Sequence, residues 1–251
     1  MSEKKAIALV WFRNDLRTLD HKGLRKVIES GHKVIAYYTF NPRHFETLKW
    51  GFKKTDRFRG QFLIESVRAL KKSLEALNIS LIIDSKPPEE GLPKWIKKFQ
   101  VQQIYLQHEW TEEEKKEEES VAEQISPSVG WNRHYEQFLF HPSDLPFSRS
   151  QIPEVFGSFR KRCEKEIKVR PLSPSLSAME PSNLIEKAYS LPNLTDLGLE
   201  SIVQDKRTAF PFIGGTSAGT ERLEHYFWKS KKLSYYKNTR NGLVGTDYSS
   251  K

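Results

Sequence analysis

Five short runs of strand character, each but the last followed by a stretch of helical periodicity, constrain this chain more than any other feature. AIALVWF (6–12) is unbroken by polar residues and has the length of a strand buried on both faces. KVIAYYTF (33–40), ISLIID (79–84), QIYLQH (103–108) and VGWNRHYEQFL (129–139) read as four more strands. Between them lie a short helix with Asp20 at its N-cap and Gly31 at its close, and a long helix from near Asp56 to Leu77. Phe58, Phe62, Val67, Leu70, Leu74 and Leu77 supply the apolar stripe of the long helix. LPKWIKKF is a third helix, and TEEEKKEEESVAEQI a fourth, capped by Thr111 and acidic in its first turn. Strict strand–helix alternation predicts a doubly wound five-stranded parallel sheet with right-handed crossovers.

In such a fold ligands collect beyond the carboxyl ends of the strands. FRNDLR, FNPRHF and HEWTEEE stand there, after the first, second and fourth strands. Neither a GxGxxG turn nor a Walker loop is present, which argues against ordinary dinucleotide or P-loop binding. Arg13, Asp15, Arg17 and Asp20 read as an ion-pair network that fixes the first loop and caps the next helix. The acidic run Glu112–Glu119, broken by Lys115 and Lys116, reads as a solvated helix face that would repel phosphate.

From about residue 138 the texture changes to Pro- and Ser-rich sequence with no sustained period, a long connector with one helix around Val155 to Lys165. Leu145, Phe147, Ile152, Val155 and Phe159 argue that it docks on the domain rather than hanging free. Helical character returns near 218–230, with Leu223, Tyr226 and Phe227 on one face. The formal net charge of +9 favours an anionic partner. A single cysteine, Cys163, excludes an internal disulfide and any cysteine-based metal cluster. With no apolar run long enough for a signal or a span, the expected setting is soluble, intracellular and cytoplasmic, with no membrane partner.

LVWFRNDLRTLD, FNPRHF with KTDRFRGQFLIESVRALKKSL, FHPSDLPF, IPEVFGSFRKRCE, VRPLSP and GGTSAGTERLEHYFWKSKKLSYYKNTRNGLVGTDYSSK, in this order, resemble the photolyase/cryptochrome flavoproteins, and most closely their DASH branch. The resemblance covers essentially the whole chain. His21 departs from it, standing where the family usually has Asn, and so does Thr216, where DASH members usually have Glu. It implies three parts: an antenna-binding α/β domain over residues 1–137, an interdomain connector over 138–200, and the first elements of a helical domain for flavin adenine dinucleotide (FAD) over 201–251. The rest of that helical domain would follow, so the chain reads as a truncated piece.

The family reaction that the resemblance implies is light-driven electron transfer from reduced FAD to cyclobutane pyrimidine dimers, with single-stranded DNA favoured. A 5,10-methenyltetrahydrofolate antenna feeds it with excitation. Glu109 matches the antenna carboxylate, able to pair with the amino-pyrimidine edge of a pterin. Read from its position alone, it is a helix-start acid. Tyr236, Ser249, Ser250 and Lys251 match FAD-binding positions, and Arg240 a position near the DNA backbone. Nine Lys and Arg face four acids from Ser201 onward, in keeping with a phosphate cradle. No residue is assigned to catalysis or to a metal. Whether the chain alone is an enzyme stays open. The alternatives are a blue-light signalling cryptochrome without repair activity, a non-enzymatic antenna-binding module, or a gene remnant. The unpaired helical segment suggests self-association.

Overall fold

The computed structural model describes residues 5–185, 189–203, 205 and 213–241. Strands β1 (Ile7–Trp11), β2 (Lys33–Thr39), β3 (Ser80–Asp84), β4 (Val101–Gln107) and β5 (Gly130–His134) form one sheet in the order β3-β2-β1-β4-β5. Every pairing is parallel. Because both faces of the sheet are covered, the β1 run Ala8, Leu9, Val10 and Trp11 is at most 1% exposed, as an unbroken apolar strand requires. Strand β5 is shorter than its sequence run: Tyr135 to Leu139 leave the ladder and turn across the carboxyl edge.

Helices α1 (Lys22–Glu29), α2 (Arg57–Glu75), α3 (Pro88–Phe99) and α4 (Glu112–Gln124) fill the crossovers. The strand order turns back after β3. With right-handed crossovers this sends α1 and α2 to one face and α3 and α4 to the other, and α3 does pack against α4. On α2, Asp56 caps the start, accepting from the Arg57 N–H. Its buried stripe is Gly60, Ile64, Val67, Leu70 and Leu74. Phe58 and Phe62, expected in that stripe, stand 64% and 47% exposed, because two residues along a helix is about 200° of rotation. Two further expectations at helix ends are corrected. Helix α1 is capped by His21, not Asp20, while Gly31 closes it as expected, with φ at +74° directly after the C-cap Ser30. Thr111 does stand at the N-cap of α4, but its hydroxyl makes no capping bond.

The connector docks; of the residues expected to carry it, Ile152 and Val155 are exposed, while Leu145, Phe147 and Phe159 are half-buried, with Phe147 stacked on Phe159. After α5 (Phe156–Glu166) the chain crosses the amino edge of the sheet. There the buried Asn183 accepts from the Val34 N–H (2.8 Å) and donates to the carbonyls of Val34 (2.9 Å) and Asn78 (2.7 Å). Further along, Leu197 and Leu199 are buried in the main core, Leu199 beside Gly60 in the first turn of α2. The helical segment beyond 213 docks on α2. Gly214 donates its N–H to Glu65, and a Cβ at Gly214 would lie 2.2 Å from the Phe62 carbonyl oxygen, so only glycine allows this approach. Helix α6 (Thr216–Glu224) follows and runs into one π-helical turn, His225–Lys229. Among the described residues no helix is long and apolar enough to cross a membrane.

Candidate functional site

The order in which strands are added reverses between the neighbours β1 and β4, the point at which crossovers leave to opposite faces and a crevice opens at the carboxyl edge. A cleft of about 360 Å³ lies there, with Arg13, Asn14, His44, Lys54, Arg59 and Glu117 in its walls. The acidic run on α4 is therefore not a uniform solvated face. Glu117 is buried, accepts a hydrogen bond from Asn41 and lies 3.6 Å from His44. Glu118 is held by Arg13 at 3.5 Å and by Arg133. Glu113 pairs with Lys54 across the cleft mouth, and burial, helped by the cations Arg133, Lys115 and Arg13 against the opposing pull of Glu118, leaves the His108 imidazole below its usual pKa. This mixed lining suits a flat polar ligand better than a phosphate group alone, since carboxylates and cations alternate around it.

Glu109 stands two residues past the end of β4, at the carboxyl edge where the sequence places it, and is 5% exposed. Its carboxylate accepts from Asn14 (3.4 Å), Gln107 (3.3 Å) and Gln137. The rings of His108, Trp110, Tyr135 and Phe138 cluster beside it, with centroids 4.7 to 5.7 Å apart. Sequence reasoning missed the three amides. Gln107 was within reach, because it shares a side with Glu109 under the two-residue period of a strand end. Gln137 was not, because it sits in a stretch read as continuing strand. Asn14 belongs to both features: it lines the cleft and holds Glu109.

The charged loop after β1 is wired differently from the network expected. Asp15 pairs with His21 at 2.9 Å, both fully enclosed. Arg13 reaches across to the Gln107 carbonyl, while Arg17 donates to the carbonyls of Asp20 and Glu136. Asp20 holds the connector through the Ser173 N–H at 2.7 Å. His21 caps α1 by accepting the Leu24 N–H on Nδ1 (3.0 Å), which places its proton on Nε2, facing Asp15. Burial raises the Asp15 carboxyl, but the hydrogen bonds from His21 and the Arg13 N–H outweigh it and hold its pKa at about 2. Beside them lies His134, its ring 5.1 Å from that of His21 and seated on Gly23, where a Cβ would fall 2.1 Å from the imidazole. Burial, then the neighbouring His21, push the pKa of His134 down to about 4.

Of the positions that the resemblance matches to flavin and DNA, the described ones, Tyr236 and Arg240, do not line this cleft. Tyr236 helps line a separate apolar hollow of about 370 Å³ with Leu223, Tyr226, Phe227 and Leu233, and Arg240 is exposed. Ser249, Ser250 and Lys251 lie outside the described residues.

A doubly wound parallel sheet with a polar cleft and a buried carboxylate at its switch point defines a ligand-binding α/β domain. The family model for DNA photolyase matches residues 8–180. The chain belongs to the DNA photolyase family. It is 40% identical to the cryptochrome DASH of Gloeobacter violaceus over 244 residues, 97% of this chain and 49% of that protein. The crystal structure of the Synechocystis cryptochrome superposes with a TM-score of 0.90 at 38% identity, covering all of this chain and 52% of that one. A class III photolyase from Agrobacterium tumefaciens, at TM-score 0.70 and 19% identity over 96% of this chain and 48% of its own, shares the fold. The chain spans about half the length of the curated relatives it matches.

Proposed function

We propose that this chain supplies the antenna side of a light-driven DNA-repair flavoprotein of the cryptochrome-DASH kind. Residues 1–137 would hold the light-harvesting chromophore, 138–200 would tie that domain to its neighbour, and 201–251 would begin the FAD-binding domain. When bound, reduced FAD supplies the electron that opens a pyrimidine dimer, with single-stranded DNA the expected substrate. Tyr236 and Arg240, both exposed, are free to meet flavin and DNA backbone respectively. The observation that carries the antenna reading is Glu109, a buried carboxylate at the carboxyl edge beside four aromatic rings. A pterin would replace the Gln137 amide as donor to that carboxylate and stack on the rings.

Titration with 5,10-methenyltetrahydrofolate, followed by absorbance, tests this. Glu109→Gln should weaken binding by about 1–3 kcal/mol, the cost of one charge-assisted hydrogen bond. Equal affinity in the two proteins would sink the role of Glu109. A second reading has its own support: every oxygen of Glu109 is already engaged, while the cleft beside it is open. A chromophore seated in the cleft would be lost in Glu117→Gln and Arg59→Ala and kept in Glu109→Gln. The chain alone should purify without flavin and without dimer repair; a stoichiometric flavin spectrum with light-dependent repair would overturn that expectation.

A further inference from the structure

We propose that His21, His134 and Glu136 form a binding site for one divalent transition-metal ion such as zinc, with Asp15 as the carboxylate that orients His21. These groups come from the loop after β1 and from the end of β5, more than a hundred residues apart in sequence, so no local spacing motif announces them. The structure brings one ligand atom from each of Asp15, His21 and His134 within 4.8 Å of the others. Glu136 Oε2 lies 3.6 Å from His134 Nε2 and 3.9 Å from His21 Nδ1. Zinc bonds of about 2.0–2.2 Å set tetrahedral ligands roughly 3.3–3.5 Å apart, so the two separations from Glu136 Oε2 need to shorten only slightly.

The independent sign of a ligand is His134. It is 6% exposed, and among the described residues neither of its ring nitrogens has a hydrogen-bond partner. Two unpartnered nitrogens in a buried ring are costly unless something binds them. The donor chemistry agrees. His21 gives its Nε2 proton to Asp15, the arrangement by which carboxylates fix the tautomer of metal-bound histidines, and so keeps the Nδ1 lone pair for the ion. That lone pair now caps α1 through Leu24, so metal binding takes over from the cap bond. Glu136, which holds the Lys22 N–H with both oxygens, retains lone pairs to share. Two neutral imidazoles and one carboxylate leave a fourth position for water, a donor set suited to zinc or cobalt rather than calcium or magnesium. Occupied, the site would clamp the start of α1 to the segment after β5. That segment contains Gln137, so the clamp would steady one of the amides that hold Glu109.

The test is titration of the purified, chelator-stripped 251-residue chain with Zn²⁺, and with Co²⁺ as a spectroscopic stand-in. The expected result is one equivalent bound, with the intense visible bands of four-coordinate cobalt. Asp15→Asn should weaken binding ~10–100-fold, as loss of an orienting carboxylate does. His21→Asn keeps a good N-cap and Glu136→Gln keeps an acceptor for Lys22, so both should fold; each should lose more affinity than Asp15→Asn. Circular dichroism checks that each variant is native, and if His21→Asn fails to fold, Glu136→Gln decides. Absence of stoichiometric binding by the folded wild-type chain would overturn the proposal. So would cobalt bands unchanged in a folded His21→Asn or Glu136→Gln protein.

Discussion

The sheet core and the segment from 213 to 241 use the same kinds of residue and reach opposite ends of the burial scale. Leu9 and Ile82 are fully buried, while Leu223, Phe227, Trp228 and Leu233 stand 49%, 41%, 64% and 44% exposed. Amphipathicity alone does not explain the difference. A strand in the middle of a parallel sheet has neighbours on four sides, and the crossovers in its own chain supply them. Among the described residues, helix α6 packs on α2, through the Gly214 approach and the contacts that follow. Its outward side forms the apolar hollow around Tyr226. Its stability is therefore borrowed from a docking contact, whereas that of the sheet is cooperative.

The largest effect should come from the sheet. Leu9→Ala removes a fully enclosed side chain from the central strand and should cost about 2–5 kcal/mol in denaturant unfolding. A loss below about 1 kcal/mol would mean that the core is far looser than its burial implies. Next comes the seam between sheet and connector. Asn183→Ala strands the Val34 N–H and two carbonyls at the amino edge, and should cost about 1–3 kcal/mol in the same measurement. If Asn183→Ala proved silent, the connector would be an appendage, and the cooperative unit would end near residue 137.

The parts of this molecule legible in the sequence are those governed by one period. Apolar runs identify the strands β1 to β4 and strand-length alternation the more polar β5, and their alternation with helices identifies the parallel sheet and the edge where Glu109 stands. What escaped depends on side chains meeting across the fold. His21 reads as an ordinary residue after an apparent cap; only Asp15, six residues earlier, fixes the tautomer that lets it cap α1. Glu117 reads as one of several solvated acids until Asn41 and His44 close over it. Phe58 and Phe62 show the same limit from the apolar side. They keep a four-residue spacing, yet stand about 200° from the face that α2 buries, on the side that meets Gly214. The Gln137–Glu109 bond required knowing that the chain leaves the sheet after His134.

Two smaller predictions probe the docked segment directly. Gly214→Ala puts a methyl 2.2 Å from a helix carbonyl that cannot move without breaking α2, so the segment should lift away. Proteolysis and amide exchange within 213–241 should then rise sharply, while global unfolding shifts by no more than about 1 kcal/mol. The smallest effect should be that of Leu233→Ala. This side chain is the same size as Leu9 but 44% exposed, and it lines the hollow shared with Leu223, Tyr226 and Phe227. Truncation there removes surface that water already reaches, so global stability should stay within about 0.5 kcal/mol. The comparison with Leu9→Ala holds residue type and substitution fixed and changes only the environment. A Leu233→Ala loss approaching that of Leu9→Ala would show that the segment unfolds together with the sheet, and that the α2 contact is a full part of the core.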